Sequence, residues 1–558
     1  MADETINCDN AYEAGFAAMK TMPGKIFSDI HLKRKDKVKT LAALTKQASV
    51  KDVVIDLNHN QLFHRITCVV RKDEELSEYM KFELSSQPPS LFDNHYMRKG
   101  TKSSLVTVFD KLTKPETSVP LQAKFTIDGG YLLHTVIWSR PATFGDICNQ
   151  YVQYVTQKYG HNCIVVFDGY ESSTKDEEHL RRGSKIPSIA VEFGDSTPAV
   201  AAKDQFLANV CNKEAFLKLL MKHLAACGII VHQAIGDADT TIVKQAIQVA
   251  VSGTVSVIVG QDTDLIVLMI ALTTDAVDVY MLIPGCKDRI DRIYSSRKLL
   301  EALGEMKRHI LFIHAVTGCD TTSAPYRLGK VAPFNKLKTN FELQKRVAIF
   351  SHYNASADEI AAAGEYFIVI LYGGSEKDSL DTLRYRKYMR TIAKQSVHAT
   401  FDLATLPPTS AAARQHSLRV YHQVQQWMDV NLNATDWGWT LVGNSLRPIM
   451  TTLEAAPERI LHLVSCNCKE GCERNCDCKR GCLPCTSMCG YCAGHGCSNR
   501  IVIDDDDDDD DDGNETDEDN QDCETDLETV TERDVKRPKR AQQVILCAIA
   551  PSINTTII

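Results

Sequence analysis

The chain has 558 residues, of which 44% are hydrophobic, and a net charge of −9. This length allows two to four domains with at least one sizeable core. No uninterrupted apolar run reaches the roughly 18 residues of a membrane span, and the first residues, MADETINCDN, are acidic and polar. We therefore expect a soluble protein that is not secreted and has no membrane partner.

Acidic residues and cysteines are unevenly distributed. Residues 504–534 hold 19 Asp and Glu against one Arg, so the rest of the chain carries about +9. Ten of the 20 cysteines lie between Cys466 and Cys497, and the others are scattered singly. This distribution argues against a disulfide framework and favours a reducing compartment, one metal module and buried free thiols.

Residues 1–115 mix short apolar stretches with polar loops and show no motif, so we predict an N-terminal α+β region without an assigned role. Between residues 116 and 340, strand-length β-branched runs alternate with stretches of helical periodicity. The strand runs are AKFTIDGG, NCIVVFDGY, CGIIVHQA, VSVIVGQD and VDVYMLI, and the helical stretches are FGDICNQYVQYVTQKYG and EAFLKLLMKHLAACG. This alternation predicts an α/β fold with a mostly parallel sheet flanked by helices, which binds ligands beyond the carboxyl ends of its strands. In VSVIVGQDTDLIVLMI we predict a strand over 255–259, a turn at Gly260 and a new helix or strand from Leu265.

The last three regions differ in composition. Residues 341–460 contain amphipathic stretches such as SLRVYHQVQQWMDVNL and are predicted to be mainly helical. Residues 461–500 form a small Cys-rich module, and residues 501–558 form an acidic tail with a basic motif. The tail begins with nine consecutive aspartates, 504–512, and cannot bury enough apolar surface to fold, so we expect it to be disordered.

Aspartates follow the apolar runs of the α/β region, at the ends of successive predicted strands. They are Asp128, Asp168, Asp237, Asp239, Asp262, Asp264 and Asp320. Carboxylates gathered at one edge raise one another's pKa and need a compensating positive charge. About two Mg²⁺ or Mn²⁺ ions, which prefer oxygen ligands, would supply it and would support hydrolysis of a phosphodiester. The alternative for each single residue is a helix cap or turn, where Asp is common.

The motifs FTIDGGYLLH, VVFDGY, GDADTT, VGQDTDLIVL and VTGCDTTSA resemble, in this order, the acidic motifs of the flap-endonuclease branch of the PIN-like nuclease superfamily. The resemblance covers about residues 120–335 and implies that the seven aspartates bind metal. It also implies that Lys175 and Arg182, seven and fourteen residues after Asp168, act in catalysis by holding the scissile phosphate. The alternative for these two residues is a solvated charged helix.

The sequence departs from this family at two places. The family's EAE motif is DAD here, and after Asp320 the glycine-rich helix-turn-helix that holds duplex DNA is reduced to Gly329 and Lys330. Pro325 and Pro333 interrupt this segment. We retain Lys330 as a predicted nucleic-acid contact. These departures favour an alternative function, a catalytically inactive DNA-binding or scaffold protein derived from a mobile element.

The Cys-rich module contains ten cysteines within 32 residues, and zinc ligation through shared thiolates would supply its folding energy. The predicted ligands are Cys466, Cys468, Cys472, Cys476, Cys478, Cys482, Cys485, Cys489, Cys492 and Cys497. The paired C-x-C units resemble the tesmin-type CXC domain, which implies about three zinc ions and contact with DNA. Cys482 is extra to that pattern, and Asn475 stands where the family has an aromatic residue. The basic residues available for DNA are Lys469, Arg474, Lys479 and Arg480. Disulfides are the alternative.

The motif VKRPKR, with Lys536, Arg537, Lys539 and Arg540, predicts nuclear import, the alternative being a solvated basic patch. The aspartate run is predicted to mimic nucleic acid or to bind a basic protein partner, the alternative being a solubilising tail. The whole arrangement resembles uncharacterised animal proteins expanded through mobile elements. We therefore predict a nuclear, metal-dependent nuclease whose zinc module assists docking, with DNA favoured over RNA as the substrate.

Overall fold

The structure is a computed structural model. It describes residues 77–169 except 86 and 94–95, residue 174, residues 189–392 except 286–289, and residues 402–454 except 444. It also describes Phe16, the backbone of 47–50 and 53–56, and separate residues between 468 and 499. The acidic tail predicted for 501–558 lies outside the described residues. The described residues belong to one compact unit, Met1–Asp504.

In the described part of the chain, the strands form one large sheet and three two-stranded ones. The antiparallel pairs are β1 (Gln47–Val50) with β2 (Val53–Asp56), β3 (Phe92–Asp93) with β4 (Tyr96–Met97), and β11 (Trp439–Val442) with β12 (Ser445–Pro448). The large sheet contains β5 (Lys124–Asp128), β6 (Ile164–Phe167), β7 (Ile230–Gln233), β8 (Ser256–Val259), β9 (Val279–Ile283) and β10 (Arg292–Ser295). Its order is β10-β9-β8-β5-β6-β7, and only β10 pairs antiparallel with its neighbour. The predicted, mostly parallel α/β sheet is confirmed.

The helices are α1 (Ser104–Leu112), α2 (Gly129–Thr135), α3 (Phe144–Tyr159), α4 (Lys203–Ala208), α5 (Val210–Ala226), α6 (Asp239–Val251), α7 (Thr263–Leu272), α8 (Ser296–Leu303), α9 (Ile310–Val316), α10 (Val331–Thr339), α11 (Phe341–Val347), α12 (Ala357–Leu371), α13 (Leu380–Ile392) and α14 (Ser410–Trp427). Short 3-10 helices cover Gly304–His309, Ala348–Ser351, Leu403–Thr405 and Ala434–Asp436. None of the helices in the described ranges combines the length and the apolar character that crossing a bilayer requires.

Successive residues of the central strands face opposite layers, which explains why their sequences are continuously apolar. In β6, Ile164 and Val166 pack into the core that contains α6 and α7, while Val165 and Phe167 pack into the core that contains α3 and α5. Fully burying each such side chain contributes about 1.5–3 kcal/mol. The sheet is therefore covered by helices on both faces, and the described helices do not cover the edge at which its parallel strands end.

The structure confirms the prediction for one apolar run and contradicts it for another. VSVIVGQDTDLIVLMI forms β8, a turn through Gly260 and helix α7, so the predicted strand and turn are confirmed and the helix is the correct continuation. The prediction that Asp320 follows a strand is wrong, because HILFIHAV lies within the 3-10 helix and α9. All side chains of α9 are buried, and a run apolar on every side has no periodicity that separates helix from strand.

The helices predicted for residues 341–460 pack onto the same core as the sheet. Residues of α12 and α14 belong to the apolar cluster that also contains α6, α7 and α9, as do Leu105 and Phe109 of α1. Helix α12 meets α14 closely at Gly364, where a Cβ atom would lie 1.9 Å from Ser417 Oγ. The division into separate regions at residues 115 and 340 remains a prediction, and one core spans both positions.

Candidate active site

Three carboxylates converge at the carboxyl-terminal edge of the sheet. Asp262 follows β8 and caps α7, where its Oδ1 accepts a hydrogen bond from Asp264 N at 3.0 Å. Asp239 is the first residue of α6, which follows β7. The ligand oxygens of Asp239, Asp262 and Asp264 all lie within 4.8 Å of one another. Asp262 thus serves both as a helix cap and as a member of this group, which we call the carboxylate triad.

Asp128 and Asp168 stand beside the triad on the adjoining strands. Asp128 caps α2, with its Oδ1 accepting a hydrogen bond from Gly130 N at 2.8 Å. Asp168 Oδ1 accepts one from Ala238 N at 3.1 Å, which ties the end of β6 to the start of α6. A Cβ on Gly260 would lie 3.3 Å from Asp128 Cβ, so a glycine there lets the loop after β8 approach β5. Asp237 is half-buried on the loop before α6 and is not a member of the triad.

Burial, and next the charge of a neighbouring carboxylate, raise the pKa values of Asp128 and Asp262. Desolvation, followed by the charge of Asp168 and to a smaller extent that of Asp262, raises the pKa of Asp128 to about 7. Desolvation and the charge of Asp264 raise the pKa of Asp262 to about 6. The carboxylates are therefore held together at an energetic cost that a cation would relieve.

Two lysines from the N-terminal region enter the site, although no sequence motif marks them. Lys102 Nζ lies 3.0 Å from Asp320 Oδ1, 3.2 Å from Asp264 Oδ2 and 3.7 Å from Asp262 Oδ1. Lys99 Nζ lies 3.8 Å from Asp320 Oδ1 and donates to the Asp320 carbonyl at 3.3 Å. Asp320 therefore reaches the same edge from the turn after α9. Lys99 and Lys102 reach the carboxylates because the segment before α1 packs beside them. A single sequence carries no pattern that predicts this packing.

His314 is a second residue that sequence reasoning missed. It is fully buried on α9, and its Nε2 lies 2.8 Å from Asp264 Oδ1. Burial, and next the charge of Lys330, lower the pKa of His314 to about 4, so the ring is neutral and Nε2–H donates to the carboxylate. Its Nδ1 has no hydrogen-bond partner among the described residues. His314 therefore fixes one oxygen of Asp264, as an outer residue orients a metal ligand.

Lys330, which we predicted to contact nucleic acid, is only 1% exposed. Its Nζ donates to the carbonyls of His314 and Gly318 at 2.9 and 2.6 Å and to Thr317 Oγ1 at 3.1 Å. Burial lowers the pKa of this lysine to about 8. Its burial does not agree with a phosphate contact. Lys330 instead fastens the turn between α9 and Asp320.

The sulfur atoms of the Cys-rich module form two groups. Cys472, Cys485, Cys492 and Cys497 lie within 4.8 Å of one another, and Cys468, Cys472 and Cys476 form the second group. Cys472 belongs to both, as a bridging thiolate would, and four sulfur donors suit a tetrahedral zinc ion. Desolvation raises the pKa of the Cys485 thiol, which a bound cation would reverse. No disulfide joins the cysteines that the structure describes, Cys489 included.

Several predicted residues lie outside the described part of the chain. They are Lys175, Arg182, Cys466, Cys478, Cys482, Lys469, Arg474, Arg480, Lys536, Arg537, Lys539 and Arg540. Of the basic residues predicted in the Cys-rich module, Lys479 is described and exposed.

Comparison with known proteins gives a partial family match and similar solved structures of low sequence identity. The profile of a family described as a domain of unknown function (DUF8702) matches residues 1–83. No curated protein matches the chain. Among solved structures, the chain is similar to the catalytic core of Rad2 in complex with DNA substrate, with 13% identity, 58% of this chain and 98% of that chain covered, and a TM-score of 0.32.

Two further similar structures come from bacteriophage T5. The D15 protein co-crystallised with metal ions is 14% identical, with 56% of this chain and 100% of that chain covered and a TM-score of 0.27. The D15 flap endonuclease in a pseudo-enzyme-product complex with DNA and metal ions is also 14% identical. It covers 55% of this chain and 99% of its own, with a TM-score of 0.26.

Proposed function

We propose that the protein is a metal-dependent nuclease that hydrolyses phosphodiester bonds of DNA. The observation that carries the proposal is the carboxylate triad of Asp239, Asp262 and Asp264, within 4.8 Å at the carboxyl edge of a parallel sheet. Ligands of α/β sheets bind at this edge. Asp128, Asp168 and Asp320 adjoin the triad, so the site has more negative charge than capping requires.

The residues present fit a hard divalent cation such as Mg²⁺ or Mn²⁺. The triad offers carboxylate oxygens, which these ions prefer. Burial and neighbouring carboxylates raise the pKa values of Asp128 and Asp262, and a bound cation would lower both. A bound divalent ion would polarise a phosphate oxygen and make a water molecule more acidic. We propose about two such ions, because seven aspartates are available as ligands.

The chain itself would orient the ligands and the substrate. N-cap hydrogen bonds fix Asp128 and Asp262, and His314 fixes Asp264 from within the core. Helices α6 and α7 begin at the site, and the partial positive charge of a helix N-terminus favours a phosphate there. Lys175 and Arg182 are proposed to hold the scissile phosphate, which would add the positive charge that phosphoryl transfer needs.

The Cys-rich module is proposed to bind about three zinc ions and to assist docking on DNA through Lys469, Arg474, Lys479 and Arg480. The two sulfur groups that share Cys472 support more than one zinc ion. Import into the nucleus through the basic motif at 536–540 and a basic protein partner for the acidic tail are further parts of this proposal.

A second candidate function is a catalytically inactive, DNA-binding or scaffold protein derived from a mobile element. The contact of Lys102 with three carboxylates favours it, because a lysine can neutralise such a site without any metal ion. The two candidates differ in whether bound DNA is cut.

Cleavage assays separate the two functions. Wild-type protein and an Asp262→Asn/Asp264→Asn variant are incubated with single-stranded, duplex and flapped DNA and with RNA, with Mg²⁺, Mn²⁺ or a chelator. The matched control is Asp275→Asn, since Asp275 is an exposed acid paired with Lys307. We expect metal-dependent DNA cleavage by wild type and control and none by the double variant. Cleavage that persists in the double variant or in chelator would refute the assignment of the site. Tight binding without cleavage would establish the scaffold function, and preferential cutting of RNA would change the substrate.

A further inference from the structure

Lys102 makes an ion-pair network that is largely withdrawn from solvent. Its side chain is 22% exposed, while those of Asp264 and Asp320 are 3% and 11% exposed. Charges in such surroundings attract one another more strongly than at the surface, where salt bridges contribute little. The lysine is therefore part of the site and is more than a passing surface contact.

The carboxylates of this network overlap with the carboxylate triad. Asp262 and Asp264 belong to both, and the two oxygens of Asp264 are already engaged. Oδ1 accepts the hydrogen bond from His314 at 2.8 Å, and Oδ2 contacts Lys102 Nζ at 3.2 Å. His314 is held inside the core, whereas Lys102 lies on the segment before α1 at the edge of the site. An ion that binds Asp264 Oδ2 therefore competes with Lys102 for the same oxygen.

We propose that Lys102 is a built-in competitor of the divalent cation at the carboxylate triad. Its ammonium group compensates Asp264 and Asp320 when free metal is scarce, and it must leave Asp264 before an ion can bind there. The inference rests on the proposed function in that it takes the triad to bind a divalent ion. Since the competent state is only a fraction of the population, the apparent dissociation constant of the metal is raised by the inverse of that fraction.

Titration with Mn²⁺ by calorimetry or electron paramagnetic resonance tests this competition without measuring cleavage. Full-length wild type is compared with Lys102→Met, which removes the ammonium and keeps the length of the side chain. Lys111→Met is the matched control, because it removes one charge from the exposed side of α1. Lys99→Met removes the neighbouring charge, which contacts Asp320. We expect Lys102→Met to bind Mn²⁺ about tenfold or more tightly, Lys99→Met to show a smaller gain and Lys111→Met none.

A second measurement uses the wild-type protein, so it holds even if Lys102→Met folds poorly. An amine-reactive reagent followed by mass spectrometry reports the reactivity of Lys102, which we expect to rise several-fold when Mn²⁺ is added, with Lys111 unchanged. Equal Mn²⁺ affinity of wild type and Lys102→Met, or unchanged reactivity of Lys102 on metal binding, would overturn the inference and leave the proposed function intact. Absence of Mn²⁺ binding in wild type and variant alike would overturn both.

Discussion

His314 is a buried side chain that fixes one carboxylate of the triad, that of Asp264. We predict that His314→Phe lowers Mn²⁺ affinity and the rate of DNA cleavage about 10- to 100-fold, the usual effect of losing the residue that orients a ligand. Phenylalanine keeps the ring beside Trp427, at 5.6 Å between centroids, and removes only the donor to Asp264. His309→Phe is the control, since His309 is a buried histidine on the preceding 3-10 helix. Equal losses in both variants would show that Asp264 needs no such support.

His416 gives the folded state a dependence on pH. It is fully buried on α14 and donates from Nε2 to the carbonyl of Val316 at 3.1 Å. Burial, and next the charge of Arg419, lower the pKa of His416 from 6.5 to about 3. Between pH 6.5 and 3 the unfolded chain therefore binds a proton that the folded chain does not, so stability falls as the pH falls.

We predict that the stability of wild type and that of His416→Gln depend differently on pH. At pH 5 the neutral state of buried His416 lowers the free energy of unfolding by about 2 kcal/mol relative to neutral pH. His416→Gln removes this loss and keeps an amide that can donate to the carbonyl of Val316. Urea unfolding at pH 7 and pH 5 should show wild type losing about 2 kcal/mol more than the variant. His352→Gln, an exposed change, should follow wild type. Parallel pH profiles for wild type and His416→Gln would mean that the buried ring is protonated.

At the scale of elements, α14 supports the turn that carries Asp320. Its buried face includes polar residues, and their hydrogen bonds end on neighbouring elements. His416 reaches the carbonyl of Val316 on α9, Gln423 accepts from Thr321, and Gln425 donates to the carbonyl of Phe350 at 2.8 Å. Because buried polar groups require such partners, the contacts with Val316 and Thr321 hold α9 and its following turn in one arrangement. The contact with Phe350 holds the 3-10 helix Ala348–Ser351.

A buried ion pair joins the N-terminal segment to α13. Arg384 is 1% exposed, lies 3.5 Å from Glu83 and donates to the carbonyls of Met80, Phe82 and Pro407. We predict that Arg384→Met destabilises the protein by about 3–5 kcal/mol, because it leaves Glu83 buried without its cation. Urea unfolding measures the change, and Lys218→Met in an exposed pair with Glu214 should cost under about 0.5 kcal/mol. A cost below about 1 kcal/mol for Arg384→Met would show that the segment is not anchored by this pair.

The two sulfur groups of the Cys-rich module give a prediction about zinc content. Since Cys472 belongs to both groups, Cys472→Ser should remove at least one zinc ion per chain. Cys468→Ser and Cys497→Ser each affect one group, so each should lose less zinc than Cys472→Ser. Metal analysis of the purified proteins measures this, with exposed Cys211→Ser as the control. Fewer than two zinc ions in wild type would contradict the proposed cluster, and equal losses in the three variants would contradict a shared thiolate.

The sequence predicts elements better than it predicts the contacts between them. Continuous β-branched runs mark β5 to β9, and the aspartates after them reach the site because parallel strands end at one edge. Helix α9 is mistaken for a strand because it is apolar on every side. Strand β10 is missed because it has only four residues, RIYS, and its burial does not alternate. Lys102 and His314 meet Asp264 from 162 and 50 residues away, and no local pattern encodes such a contact.

At the scale of the whole molecule, charge is separated along the chain. Residues 504–558 hold 19 acidic and five basic residues, a net of −14, so residues 1–503 carry +5 of the total −9. If the body binds DNA through its positive groups, as proposed, we expect the tethered polyanionic segment to compete with DNA for those groups. Such a competition would be intramolecular and would therefore act at a high effective concentration.

We predict that the chain truncated to residues 1–503 binds duplex DNA about tenfold or more tightly than the full-length protein at about 50 mM salt, and that the gain shrinks toward about 200 mM as the charges are screened. Fluorescence anisotropy across this salt range measures both quantities. The control replaces the nine aspartates 504–512 with asparagine in the full-length chain, which keeps the length of the tail and removes nine of its 19 acidic residues. If the asparagine variant binds duplex DNA with an affinity between those of the full-length and truncated chains, charge is the cause. Competition requires that removing the competitor strengthens DNA binding. Equal DNA affinities for all three proteins would therefore contradict competition and leave the tail a solubilising segment.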